Sequence, residues 1–382
     1  MKQVLSVLTI LLLMAPGRVH AASSMVKGVT DTEIIIGQCA ALAGPAAGLG
    51  TGMSIGMKAA FDEINGKGGI RGRKIRLISV DDGYEPEKCV DCTEKMIEEQ
   101  GVFALAGFVG TPTAKVAVPI VQELKVPLIG LFTGASLLRQ PVARYVINIR
   151  AGYDDETEAL VQHLIAAGAA KIAVFYQNDS FGLAGLAGVE KALTKRQLKL
   201  AAKGYFERNT LAVKSGLADL LPAAPDVVII VSPYKPTAEF IRSAKEAGLK
   251  ARYATISFVG TENLISELGP ASAGMLISQV VPTPDSDDYE IAKQYRAALK
   301  ASSPSVAPSF VSFEGYISAR VLLAAIDKAG QELTRENLVD SFDSMSKLDL
   351  GGLSMSFSSS NHQGSNSVFL TIVKDGRAQP VK

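Results

Sequence analysis

The chain has 382 residues, with 39 Lys+Arg against 38 Asp+Glu, three His, three Cys and no Trp. A formal charge of +1 provides no basic field for nucleic acid or an anionic membrane, and so few His and Cys leave little material for a metal centre. Hydrophobic residues at 47% and charged ones at 20% are ordinary for a globular protein, and at this length two domains are expected rather than one core.

The first 21 residues differ from the rest. Lys2 and Arg18 are their only charges, and these flank an apolar run from Val4 to Met14 that is too short to span a bilayer. Val19-His20-Ala21 then offers the small residues at which a signal peptidase cuts. We expect residues 1–21 to be an export signal whose removal leaves a formal charge of −1, and the mature chain to work in the periplasm. No later stretch approaches 18 consecutive apolar residues, and no Cys stands near the cut to take a lipid.

From residue 33 onward, short β-branched runs alternate with helical patterns. Strands are predicted at 33–37, 75–80, 103–107, 126–131, 145–149, 171–176, 227–231, 253–257 and 275–281. In the first interval, residues 54–65 place Met57, Phe61 and Ile64 on one helical face, and Gly66-Lys67-Gly68-Gly69 stops the helix. Strict alternation means parallel sheets with helices on both faces. About ten strands are too many for one comfortable open sheet, so the expected class is α/β with two doubly wound parallel-sheet lobes. After Pro282 the pattern turns helical over 288–300 and 310–345, and the chain closes with a strand at 367–374 and an Asp375-Gly376 turn.

Catalytic and metal patterns are thin. His163, in an amphipathic helix, and His362, in a Ser/Asn-rich loop, have no ligand neighbour one helical turn away, so both are expected as surface residues and no metal is expected. Gly52-Met53-Ser54-Ile55-Gly56 spells G-x-S-x-G, but a nucleophile elbow needs a strand running directly into the Ser. The preceding strand ends near Gly37, so Ser54 is expected as an ordinary first-turn helix residue, and the chain is not expected to be an enzyme. The Gly44 to Gly52 loop lacks the Gly-Lys-Ser/Thr ending of a phosphate cradle, so no nucleotide cofactor is expected. Cys89-Val90-Asp91-Cys92 spells C-x-x-C with Pro86 at a helix start, which puts Cys89 in the second turn; buried small hydrophobes or a local bridge are expected before a redox pair.

Binding is better supported. Strand 103–107 leads into Phe108-Val109-Gly110-Thr111-Pro112-Thr113, where Thr111 suits an N-cap and Pro112 the first helical position. The next strand leads in the same way to Thr133-Gly134-Ala135-Ser136. Two adjacent helix starts with hydroxyls and small residues can hold both oxygens of a carboxylate, or the two Thr can simply cap their own helices. Later strand ends carry Tyr153, Phe181, Tyr234 and Phe258, which read as an aromatic wall for the apolar body of the same small molecule or as core packing.

Several of these segments carry a resemblance. Gly44-Pro45, Asn65-Gly66-Lys67-Gly68-Gly69-Ile70-Arg71-Gly72-Arg73-Lys74, Asp81-Asp82, Gly110-Thr111-Pro112-Thr113, Thr133-Gly134-Ala135 and Lys374-Asp375-Gly376 together resemble the leucine/isoleucine/valine-binding family of periplasmic solute-binding proteins, over essentially the whole mature chain. The resemblance implies a type I periplasmic binding fold, with three crossovers joining a first lobe at 28–148 plus 281–352 to a second at 149–280 plus 353–382. It implies a monomer that closes on a small-molecule ligand and delivers it to an ABC permease and ATPase in the inner membrane. The expected ligand set is Phe108, Gly110, Thr111, Thr113, Thr133, Gly134, Ala135, Ser136, Tyr153, Phe181, Tyr234 and Phe258. Two positions depart from the amino-acid binders the chain resembles. Where those place a glutamate for the ammonium, this chain has Ser257-Phe258-Val259 with Glu262 shortly after, and Leu49 replaces an aromatic at the cleft edge. A branched-chain amino acid and an aromatic or aliphatic acid or amide therefore both stand as candidate ligands.

Overall fold

Two sheets carry the alternation. The computed structural model describes residues 26–381, so the expected export signal lies outside the described residues. The first sheet is built from β1 (Glu33–Ala40), α1 (Ala47–Gly66), β2 (Lys74–Asp81), α2 (Pro86–Glu98), β3 (Ala104–Ala106), α3 (Thr111–Glu123), β4 (Leu128–Ile129) and β5 (Val146–Ile147). Its order is β2-β1-β3-β4-β5 with every pair parallel, and β1 and β2 stay in register from Glu33 opposite Lys74 to Ala40 opposite Asp81. β3, β4 and β5 are buried throughout, as strands covered on both faces must be.

α1 begins seven residues before the expected start at Ser54, because Gly/Ala-rich sequence that reads as loop is wound into the helix. The glycines serve packing. A Cβ on Gly56 would stand 1.8 Å from the Ser312 carbonyl oxygen of the neighbouring helix, so only glycine lets the two backbones come this close. Ser54 therefore sits in mid-helix with its hydroxyl 3.0 Å from that of Ser79.

The second sheet is formed by α4 (Tyr153–Ala166), β6 (Ile172–Gln177), α5 (Ser180–Thr194), β7 (Ala202–Phe206), α6 (Lys214–Leu220), β8 (Val227–Val231), α7 (Tyr234–Glu246), β9 (Arg252–Thr255), α8 (Thr261–Leu268) and β10 (Leu276–Gln279). The chain then returns to the first lobe as α9 (Glu290–Ser302), α10 (Phe310–Ala329), α11 (Arg335–Asp343) and the short pair β11 (Leu348–Asp349) and β12 (Ser354–Met355). It ends on the second sheet as β13 (Phe369–Lys374) and β14 (Arg377–Pro380), giving the order β14-β13-β10-β9-β8-β6-β7. The sheet is mixed rather than wholly parallel: β13 runs antiparallel to β10, and the Asp375-Gly376 turn, with both φ positive, folds β14 back on β13.

The backbone crosses between the lobes after β5, after β10 and between β12 and β13. The last return comes later than residue 353, because Leu353, Met355 and Phe357 pack with α10 residues of the first lobe. The first and third crossovers are tied together: the Asn148 amide donates to the His362 carbonyl at 2.7 Å, and the Gly364 amide to the Asn148 carbonyl at 2.9 Å. His362 is accordingly a correction to the surface expectation. It is 5% exposed, with Nε2 at 2.8 Å from Asp343 Oδ1 and Nδ1 at 3.1 Å from the Val146 carbonyl. The Cys pattern resolves as a long-range bridge from Cys39 at the end of β1 to Cys92 in α2, closing a loop worth about 4 kcal/mol on entropic grounds. Cys89 stays buried and unbridged, and burial pushes its thiol well above the usual range.

Candidate functional site

The carboxyl ends of both sheets face each other, and the loops there build the site. On the first lobe, β3 runs through Gly107 to Gly110, whose φ of +100 and contact with the Tyr84 ring leave no room for a side chain. Gly110, not Thr111, is the N-cap of α3, and Pro112 is the second helical residue. Thr111 therefore makes no cap bond; its hydroxyl instead meets that of Thr133 at 2.6 Å, both side chains being fully buried. Thr113 is not shared with them, because its hydroxyl donates back to the carbonyls of Val109 and Gly110.

The second expected helix start is only a three-residue turn at Ser136–Leu138. Thr133, Gly134 and Ala135 are buried beside Thr111, but Ser136 is exposed and faces a different hollow, with Asn148 and His362. A Cβ on Gly134 would meet the Tyr153 ring at 2.5 Å. Phe108 is buried in the core, and its carbonyl takes the Phe132 amide at 2.8 Å.

The second lobe supplies the aromatic side. Tyr153 opens α4 and hangs its amide on the Gly134 carbonyl at 2.7 Å; its buried hydroxyl faces Thr133 without forming a well-aligned hydrogen bond. Phe181 follows Asp179, which caps α5 by accepting from the Phe181 and Gly182 amides. Phe258, in the turn Ser257–Val259, lies 4.3 Å from Phe181, 5.3 Å from Phe132 and 6.1 Å from Tyr84 between ring centroids. Tyr234 opens α7, and its hydroxyl accepts the Gly48 amide at 3.1 Å. Phe258 and Tyr234 thus each reach the opposite lobe.

Other contacts close the same cleft. Gln177 donates to the Tyr84 hydroxyl at 3.2 Å, Arg208 pairs with Glu85 at 2.7 Å, and Asn209 donates to the Gly83 carbonyl at 3.0 Å. At the far side the Phe310 amide, at the start of α10, donates to Glu262 at 3.2 Å. Burial, with Asp285 nearby, pushes the Glu262 carboxyl up to about 7.

Sequence reasoning missed Tyr84, Phe132, Gln177 and a charged cluster at the floor. Tyr84 follows β2 of the first sheet and Gln177 ends β6 of the second, both at carboxyl strand ends, so the rule that pointed to Thr111 points to them as well. The cluster had no such signal. Arg150, on the first crossover, bonds Glu156 at 2.9 Å and the Ser257 hydroxyl, and lies 3.4 Å from Glu314. Glu156 also accepts from the Ser257 amide at 2.9 Å and the Ser278 hydroxyl at 2.7 Å. Arg139 donates to the Thr133 and Ala135 carbonyls. Burial raises the Glu314 carboxyl to about 7 against the pull of Arg150. Among the described residues no group of three or more His, Cys, Asp or Glu could hold a metal ion, and no helix is long and apolar enough to cross a membrane.

Known proteins share this fold. The family model of periplasmic binding proteins matches residues 33–378. A crystal structure of a possible leucine/isoleucine/valine-binding protein from Rhodopirellula baltica superposes with a TM-score of 0.89 at 36% identity, covering 94% of this chain and 98% of that one. A Leu/Ile/Val-binding protein of Rhizobium johnstonii is 27% identical over 81% of this chain and 83% of its own length. An amino acid binding protein of Pseudomonas aeruginosa is 24% identical, with 82% and 84% covered.

Proposed function

Because the chain belongs to the periplasmic binding protein family, we propose that this solute-binding protein is the periplasmic receptor of an ABC importer and takes a small carboxylate-bearing metabolite in the interlobe cleft. One observation carries the ligand class: the Thr111 and Thr133 hydroxyls meet at 2.6 Å with the unbonded Tyr153 hydroxyl beside them. Buried polar groups rarely go unpartnered, and three hydroxyls at one point suit the two oxygens of a carboxylate. The amide end of α3 adds partial positive charge at that point.

The ligand's apolar body then lies against Phe132, Phe181 and Phe258, and the cross-lobe bonds of Tyr84, Arg208 and Tyr234 hold the lobes over it. Micromolar binding corresponds to about −8 kcal/mol, within reach of such a polar hook plus aromatic burial. The monomeric receptor would present the closed lobes to a membrane permease, and the partner ATPase would supply the energy. The relatives described as branched-chain amino acid binders support the same class of ligand.

A thermal-shift screen of amino acids and organic acids tests the reading. Ligand at 100 times Kd should stabilise the protein by about 2.7 kcal/mol. A screen in which no small carboxylate raises Tm would remove the ligand class proposed.

A further inference from the structure

Given that reading, the charges around the hydroxyl hook bear on which carboxylates fit. An α-amino acid places an ammonium one carbon away from its carboxylate, so a buried zwitterion needs an anion close to the hook. The carboxylates near it are already engaged. Glu156 takes the Ser257 amide and hydroxyl, the Ser278 hydroxyl and Arg150. Asp179 takes the Phe181 and Gly182 amides, Gln177 at 2.6 Å and the charge of Arg208. Glu314 stands beside Arg150 and feels Arg139 as well, so an ammonium there would compete with two guanidinium groups.

Cations, by contrast, back the hook directly. Arg139 donates to the Thr133 carbonyl at 2.9 Å and to the Ala135 carbonyl at 3.1 Å. The Arg150 guanidinium lies 5.1 Å from the centre of the Phe132 ring and 5.9 Å from that of Tyr153, only one ring away from the site. It is fully buried; its Nε makes no hydrogen bond, and its Nη1 faces Glu314 at 3.4 Å as an ion pair. Glu156 offsets one of the two guanidinium charges, and Glu314, whose carboxyl burial raises to about 7, offsets the other only in part, so a net positive field remains at the hook and is little screened in a low dielectric.

We propose that the cleft selects carboxylates that carry no charged amine, aliphatic or aromatic acids of amino-acid size, and that Arg150 is the specificity-determining residue that excludes the zwitterion. Its field adds to the hook's attraction for a carboxylate and opposes an ammonium held a bond or two away.

The test is calorimetric titration of the full chain with matched pairs, 4-methylpentanoate against leucine and 3-phenylpropanoate against phenylalanine. The expected result is that an acid binds and its amino-acid partner binds at least tenfold more weakly. An amino acid that binds within tenfold of its acid, or more tightly, overturns the exclusion and leaves the carboxylate receptor standing. If neither member of any pair binds, the carboxylate reading fails and this inference with it. Arg150→Gln, checked for fold by circular dichroism, should reduce the acid-to-amine preference severalfold. Should that variant fail to fold, Glu314→Gln provides the opposite probe. Measured at pH 8, above the Glu314 titration at about 7, removing this carboxylate beside Arg150 should tighten acid binding, and a gain for the amino acid instead would overturn the assignment.

Discussion

Two hydroxyls in the cleft make separable predictions. A hydroxyl buried without a partner costs about 1–3 kcal/mol, so Tyr153→Phe should leave Tm unchanged or raise it while weakening ligand binding severalfold. A fall in Tm with unaltered affinity would make the Tyr153 hydroxyl structural. Thr111→Ala should weaken binding at least tenfold, about 1.4 kcal/mol, with circular dichroism unchanged. Thr111 does not cap α3, whose N-cap is Gly110, so the helix loses nothing by the change. Equal affinity in wild type and variant would show that the Thr111 to Thr133 contact is a packing detail.

Among the elements, the contact of α1 with α10 is the tightest test of how the sequence specifies packing. Gly56→Ala would put a methyl group 1.8 Å from the Ser312 carbonyl oxygen, and the helices would have to separate, at about 1–3 kcal/mol or more. Gly66→Ala at the end of the same helix meets nothing within 4 Å and should be near neutral or slightly stabilising. Denaturant titrations showing equal losses for both would sink the close-packing account. This contact also shows what the sequence hid. Glycine disfavours helix in isolation, so residues 47–53 read as loop, and only a partner about 260 residues away in the chain explains their winding into α1. β7 escaped notice because Ala202-Lys203-Gly204-Tyr205-Phe206 is an edge strand with one weakly apolar face. The fully buried β8, the strand β13 and the Asp375-Gly376 turn after it were legible from run length and turn chemistry alone, whereas the return strand β14 was not. At the site, Thr111, Thr133, Tyr153, Phe181 and Phe258 could be read because strand ends point to ligands. Arg150 could not, because its partners Ser257 and Glu314 meet it only through the crossovers. His362 was misread for the same reason: its acceptors at Val146 and Asp343 come from segments that local pattern does not connect.

At the scale of the whole molecule, the buried carboxyl groups of Asp82 and Glu314 and the half-buried one of Glu262 give the fold a definite pH dependence. Burial raises Asp82 to about 6, and raises Glu262 and Glu314 each to about 7. Unfolded Asp and Glu titrate near 4, so through the interval from about 4 to 7 the native state holds more protons than the unfolded chain. Stability conferred by these groups is therefore full below that interval, falls across it, and is lost once pH has risen through 6 and 7. The opposite sign applies to Glu158, which Arg196 holds down at about 2, and to Asp81, lowered by the Leu42, Gly83 and Ala43 amides despite its partial burial. Their contribution is present above the ordinary carboxylate pKa and is lost as pH falls below it, weakly for Glu158, which is partly open to solvent and screened. Tm should therefore peak at about pH 4, where the two losses meet, and decline from there toward pH 7. Glu262 adds a link to closure, since its carboxyl meets the Phe310 amide across the lobes and opening would return it to water. Calorimetric scans from acid to mild alkali would check both points: Glu262→Gln should flatten the alkaline decline, and the slope of ligand affinity against pH should flatten with it. A Tm that climbs steadily through pH 8 in the wild type would mean these carboxyl groups are not held in the state their burial implies.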